Sequence, residues 1–270
     1  MNGTGDAARV RWQVWFLVGA AVALYGLLRL ALGPLPQDPA YHELADAQTR
    51  LGGIPHTGDV MTNLGILAAG VLGLALRPRM TIGPEERNAV NVLIASTILI
   101  AFGSAYYHWA PANATLVWDR LPIAVVLMSL LALVMADRVH PLYAREGLWP
   151  FAALGIASVA LWGISEAMGR GDLLLYLVVR IGAAVAIFAL LVLRKPRHTG
   201  TKWLLAAVVC EAAIALPERF DHEIFHLASG KASGHNLKHV MAGVALACVF
   251  GWLRTRRLTA REASSARVSG

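Results

Sequence analysis

Charged residues are scarce in this sequence. Asp, Glu, Lys and Arg make up 15% of its 270 residues, whereas soluble globular domains contain about 25%. Hydrophobic residues reach 57%, so the composition excludes an ordinary soluble domain and indicates a membrane protein. The only two cysteines, Cys210 and Cys248, lie in apolar stretches without a C-x-x-C partner, and we interpret them as packing residues. A basic stripe interleaved with aromatic residues is also missing, which argues against a nucleic-acid partner.

Long apolar stretches dominate the rest of the chain. Eight windows are long enough, or nearly so, to cross a bilayer, which takes about 20 residues. They run roughly over 14–33, 58–76, 89–109, 118–136, 148–168, 173–193, 202–217 and 236–253. The first exceeds the roughly 7–15 apolar residues of a signal peptide, so we interpret it as a retained anchor. The sequence predicts an all-α, polytopic transmembrane helix bundle forming one integral membrane domain.

The distribution of basic residues predicts the orientation of the bundle. With the N-terminus inside, the outer loops hold few of the Lys and Arg residues, and the inner segments hold most of them. Positive charge concentrates on the cytoplasmic side of membrane proteins, so both termini are expected in the cytoplasm. The net charge of +7 then lies mainly in loops near anionic lipid. The basic tail from residue 254 to 270 is predicted to be disordered.

This orientation brings several polar side chains to one depth. Ser104 and His108 lie at the outer end of the third span, and Asp119 opens the fourth. His235 and His239 lie in the first turns of the eighth span, four residues apart and therefore on one helical face. All five residues are expected near the outer membrane interface.

These residue types suit metal-assisted hydrolysis. Catalytic zinc sites commonly use three protein ligands, which His108, His235 and His239 could supply. Asp119 could transfer protons, and Ser104, one turn deeper than His108, could stabilise an oxyanion. The alternative is that these polar groups are simply solvated at the interface, and the residues alone leave both interpretations open.

A second metal motif competes with the first. His222, Glu223 and His226 spell H-E-x-x-H, the signature of a zinc peptidase helix. The motif falls in an outer loop after Pro217, and no downstream acidic ligand follows residue 239 in the context that intramembrane metalloproteases use. We therefore favour a role at the outer mouth of the bundle and keep a metalloprotease as an alternative.

Two charged residues within spans need separate treatment. Arg180 and Glu211 lie in the outer parts of adjacent predicted spans. We interpret them as a structural ion pair rather than as catalytic groups.

Three segments together resemble a known family. They are "YHELADAQTRLGGIPHTGDVMTNLG" (41–65), "GSAYYHWAPANATLVWDRLP" (103–122) and "SGHNLKHVMAG" (233–243). They are similar to the bacterial branch of the alkaline ceramidase family, in a membrane hydrolase superfamily that also includes the progestin and adiponectin receptors. The resemblance covers roughly residues 40 to 253. It implies a seven-helix core over 37–253, preceded by an additional transmembrane helix within 1–36.

The resemblance implies a zinc-dependent amidase that cleaves the N-acyl bond of ceramide-like membrane lipids. His108, His235 and His239 match the zinc ligands, Asp119 the acid/base residue and Ser104 the oxyanion-stabilising serine. We expect the protein in a bacterial inner membrane with this site near the outer face. The alternative within the superfamily is a ligand-sensing receptor with little hydrolysis.

The family pattern for calcium is not reproduced. Eukaryotic alkaline ceramidases hold a calcium ion with an acidic N-terminal cluster and a glutamate, whose place His56 takes here. Asp38, Glu43, Asp46 and Asp59 are acidic candidates with a different spacing. The sequence therefore leaves a Ca²⁺ site open.

Overall fold

The computed structural model describes residues 3–268, and nearly all of its regular structure is helical. Its α-helices are α1 (Gly3–Leu32), α2 (Thr57–Leu76), α3 (Arg87–Trp109), α4 (Asn113–Arg138), α5 (Tyr143–Glu146), α6 (Leu148–Ala167), α7 (Leu174–Leu193), α8 (Thr201–Ala213), α9 (Ala215–Arg219), α10 (Asp221–Leu227), α11 (Gly234–Thr255) and α12 (Ala260–Val268). Two short antiparallel strands, β1 (Arg50–Leu51) and β2 (Ile54–Pro55), form a ribbon before α2. Short 3-10 turns occupy Pro39–His42, Ala45–Gln48, Arg77–Arg79 and Pro84–Glu86.

Within the described range, 7 helices are long and apolar enough to cross a membrane. They are α1, α2, α3, α4, α6, α7 and α11. The chain is therefore an integral membrane protein, and the predicted all-α polytopic bundle is confirmed.

The predicted span over 202–217 is not one continuous helix. The structure divides it into α8, which has 13 residues, and the short helix α9. Pro217 explains the division, because proline has no N–H to donate to the carbonyl of Ala213 and its ring crowds that carbonyl. Helix α8 still packs against α11 although it is shorter than predicted.

Helix α4 lies at the centre of the bundle. It packs against α3, α6 and α7, whereas α2 packs between α3 and α11. Leu133 and Val134 of α4 are completely buried. Helix α1 lies at the periphery, where Trp12 and Leu30 are 67% and 88% exposed, as expected for a helix that faces lipid.

The C-terminal segment differs from the disordered tail that its composition predicts. The N–H of Thr199 donates to the carbonyl of Arg257 over 2.8 Å, and the N–H of Thr259 donates to the carbonyl of Arg197 over 2.9 Å. An ion pair of 3.0 Å between Arg197 and Glu262 then holds α12. These contacts order the segment through residue 268, and the last two residues lie outside the described range.

Candidate metal centre

Three buried imidazoles meet at one end of the bundle. His108 lies in the last turn of α3, and His235 and His239 lie in the first turns of α11, with 1%, 5% and 4% of their surfaces exposed. One ring nitrogen from each lies within 4.8 Å of the other two. The Nε2 atoms of His108 and His235 are 3.2 Å apart. Two nitrogens each about 2.05 Å from a tetrahedral zinc ion would be about 3.3 Å apart, so this donor set fits zinc.

The first turn of α11 is fixed by hydrogen bonds. Ser233 caps the helix, because its hydroxyl accepts from the N–H of Asn236 over 3.0 Å while the Asn236 side chain accepts from the N–H of Ser233. The N–H of His235 donates to the carboxylate of Asp221 over 2.7 Å. The other oxygen of Asp221 accepts from the N–H of Ala45. The main chain that carries His235 is therefore anchored to the start of α10 and, through Asp221, to the 3-10 turn that begins at Ala45.

Helix α2 supplies two polar side chains that the sequence analysis did not assign to the zinc site. The hydroxyl of Thr62 lies 2.9 Å from Nδ1 of His239, and a carboxylate oxygen of Asp59 lies 4.0 Å from Nδ1 of His108. The available signal was that Asp59 and Thr62 are polar residues three apart in a mostly apolar span, where such residues are costly and usually functional.

Ser104 and Asp119 lie near each other at a close approach of α3 and α4. Ser104 is 2% exposed, and its hydroxyl lies close to the carboxylate of Asp119. The approach of the two helices depends on Gly103, since a Cβ there would lie 2.1 Å from the carbonyl oxygen of Trp118. Asp119 is not in the group of ligand atoms within 4.8 Å of one another.

Helices α7 and α8 each carry a charged residue inside a predicted span. Helix α8 packs mainly against α11 and only weakly against α7. The amino group of Lys238, on α11, lies 2.5 Å from the carboxylate of Glu218. The predicted ion pair of Arg180 and Glu211 is not formed, because these two described residues come no closer than 4.0 Å although their charges attract. Both side chains are exposed, Arg180 on α7 and Glu211 on α8.

The H-E-x-x-H motif does not take part in the histidine cluster. His222, Glu223 and His226 are exposed on α10, a helix of 7 residues. His222 donates from Nε2 to the carbonyl of Glu43 over 3.1 Å. Among residues 3–268, the only group of three potential ligands found is the histidine cluster, so nothing in this range completes a peptidase site.

The acidic residues considered as calcium ligands take part in separate local contacts. Asp38 accepts from the N–H of Ala40 over 2.9 Å, and Asp46 accepts from the N–H of Asp59 over 2.9 Å. Glu43 is exposed. Within the described part of the chain, these carboxylates do not converge as a group of three ligands, so the calcium site that the sequence left open gains no support.

In comparisons with known proteins, no protein-family model, no curated protein and no solved structure gave a significant match to this chain. The fold and the site define a class: a polytopic integral membrane protein with a buried cluster of three histidines that could hold a metal ion.

Proposed function

We propose that this protein is a zinc-dependent amidase of the membrane, which hydrolyses the N-acyl bond of ceramide-like lipids to a sphingoid base and a fatty acid. The observation that carries the proposal is the buried cluster of His108, His235 and His239. Asp119 and Ser104 beside it supply groups for proton transfer and oxyanion stabilisation. The substrate class comes from the resemblance of three sequence segments to the alkaline ceramidases.

The protein residues have distinct roles in this reaction. A zinc ion held by the three histidines would supply the Lewis acidity that polarises the amide carbonyl and acidifies the attacking water. Asp119 accepts a proton as water adds to the carbonyl carbon, and returns it to the amine nitrogen as the C–N bond breaks. Ser104 lies close to Asp119, and its hydroxyl would donate to the carbonyl oxygen as negative charge develops there.

The weak packing between α7 and α8 supports a route for a lipid substrate between these two helices. Both helices expose apolar side chains, including Val185 at 59% and Val209 at 65%, which suit contact with acyl chains. Lys238 lies next to His239 on α11 and would contact the polar part of the lipid. The distribution of Lys and Arg supports a site on the outer side of a bacterial inner membrane.

The metal content of the purified protein tests the centre. We expect about one zinc per chain, measured by mass spectrometry of the metal. His235→Ala should remove the zinc, because a ligand is lost, whereas the matched control His222→Ala should retain it. The reverse result would reject this centre and support the metalloprotease hypothesis.

Hydrolysis is tested by incubating the detergent-solubilised protein with ceramides and measuring free fatty acid. Release should disappear in Asp119→Ala while zinc is retained, since Asp119 is not a ligand. A wild-type protein that holds zinc but releases no fatty acid from any N-acyl lipid would contradict the proposal and favour a receptor.

A further inference from the structure

Helix α2 lies against both helices that carry the histidines but contributes no ligand to the cluster. We propose that α2 is a positioning helix, which orients His239 through Thr62 and His108 through Asp59. This inference rests on the metal centre of the proposed function and is independent of the substrate.

The contacts of Thr62 select one form of the His239 ring. The hydroxyl of Thr62 lies 2.7 Å from the carbonyl oxygen of Gly58, one turn earlier in α2, so its single hydrogen goes to that carbonyl. The oxygen is then left to accept from Nδ1 of His239, 2.9 Å away. A neutral imidazole with its hydrogen on Nδ1 presents the lone pair of Nε2 to a metal.

Asp59 is the residue of α2 that faces Nδ1 of His108. One carboxylate oxygen of Asp59 accepts from the side-chain amide of Asn236 over 2.6 Å. The other has no hydrogen-bond partner, and neither does Nδ1 of His108, which lies 4.0 Å away. Asp59 is 0% exposed and His108 1% exposed, so neither atom is open to bulk solvent. A hydrogen bond from Nδ1 of His108 to this carboxylate oxygen would satisfy both atoms.

The spacing on α2 explains how one helix serves two ligands. Residues 59 and 62 are three apart and therefore lie on one face, one turn along the helix. Because α2 packs between α3 and α11, that face can reach a histidine on each of them. Partners of this kind fix the tautomer and the ring orientation of metal-bound histidines, and their loss typically weakens metal binding 10–100-fold.

The test measures zinc affinity of the full-length protein in detergent by competition with a chelator, and the absorption spectrum after substitution with Co²⁺. Thr62→Val and Asp59→Asn should each weaken zinc binding about 10–100-fold and alter the Co²⁺ spectrum. Thr62→Ser restores a hydroxyl and should restore both. Thr97→Val is the matched control, because Thr97 is buried and bonds only to the carbonyl of Leu93 in its own helix.

The outcomes separate this inference from the proposed function. Wild-type protein that binds no zinc refutes the proposed function. Wild-type protein that binds zinc, together with variants that match its affinity and Co²⁺ spectrum, refutes only the positioning role. If Asp59→Asn fails to fold without metal, as judged by its melting transition, Asp59 is structural and its part of the inference is wrong. The Thr62 variants decide the other part.

Discussion

The contact between Gly103 and α4 allows a sharp test of the catalytic arrangement. In Gly103→Ala, the new Cβ would lie 2.1 Å from the carbonyl oxygen of Trp118 and 3.5 Å from the N atom of Asp119. Non-bonded carbon atoms normally approach to about 3.5–4.0 Å. The helices must therefore separate by about 1 Å at the position of Asp119.

This displacement should affect catalysis much more than metal binding. Overpacking of this kind typically costs about 1–3 kcal/mol of unfolding free energy. Moving Asp119 about 1 Å from Ser104 should slow hydrolysis on the order of 100-fold, because proton transfer depends on the position of the carboxylate. The new Cβ would collide with α4, which carries none of the three histidines, so zinc affinity should remain within a few-fold of the wild type.

Fatty acid release, zinc content and the thermal unfolding temperature check this prediction. Gly182→Ala is the matched control, since a Cβ at this position in α7 meets nothing within 4 Å. It should leave hydrolysis unchanged and stabilise the helix by about 0.5–1 kcal/mol. If Gly103→Ala unfolds and hydrolyses like the wild type, the close approach of α3 and α4 does not position Asp119.

Two further predictions concern other parts of the chain. Arg256 is 1% exposed and pairs with the buried Glu86 over 2.5 Å, so Arg256→Met should lower the unfolding free energy by about 3–5 kcal/mol. Replacing both residues by Met should recover most of this loss in a thermal unfolding experiment, and no recovery would show that the pair is not the cause. Burial lowers the pKa of His56, which has a left-handed backbone with φ 44°, so the unfolded chain binds this proton more readily than the folded protein. Unfolding free energy should therefore fall as the pH drops below about 6.5, and His56→Asn, which tolerates this backbone, should reduce the slope.

The convergence of the three histidines at one end of the bundle could be predicted from the sequence. The ends of the spans follow from apolar windows of about 20 residues. Because consecutive spans cross the membrane in opposite directions, the sequence also predicts which ends lie on the same side. His108 ends one long helix, and His235 and His239 begin another, so their convergence followed from span boundaries alone. The structure brings these three rings together as predicted.

Features that depend on the main chain were harder to predict. Averaged hydropathy over 202–217 ignores the missing N–H of Pro217, so it indicated one span where the structure has α8 and α9. The tail was predicted to be disordered because its composition is polar. Its order comes from main-chain contacts with Arg197 and Thr199, and composition carries no information about such pairing.

The predicted depth of a residue in the membrane does not tell in which direction its side chain points around the helix axis. Arg180 and Glu211 lie at similar predicted depths, but α7 and α8 pack only weakly and the two side chains form no ion pair. The same limitation applies to α2, where Thr62 and Asn63 are both polar and adjacent. By depth alone, Thr62 and Asn63 are equally good partners for His239. Consecutive residues of a helix, however, point in directions about 100° apart. In the structure, the hydroxyl of Thr62 contacts His239, whereas the amide of Asn63 donates to the carbonyl of Asp59 over 2.8 Å. The packing of α2 between α3 and α11 therefore determines which of the two side chains can orient a histidine ligand.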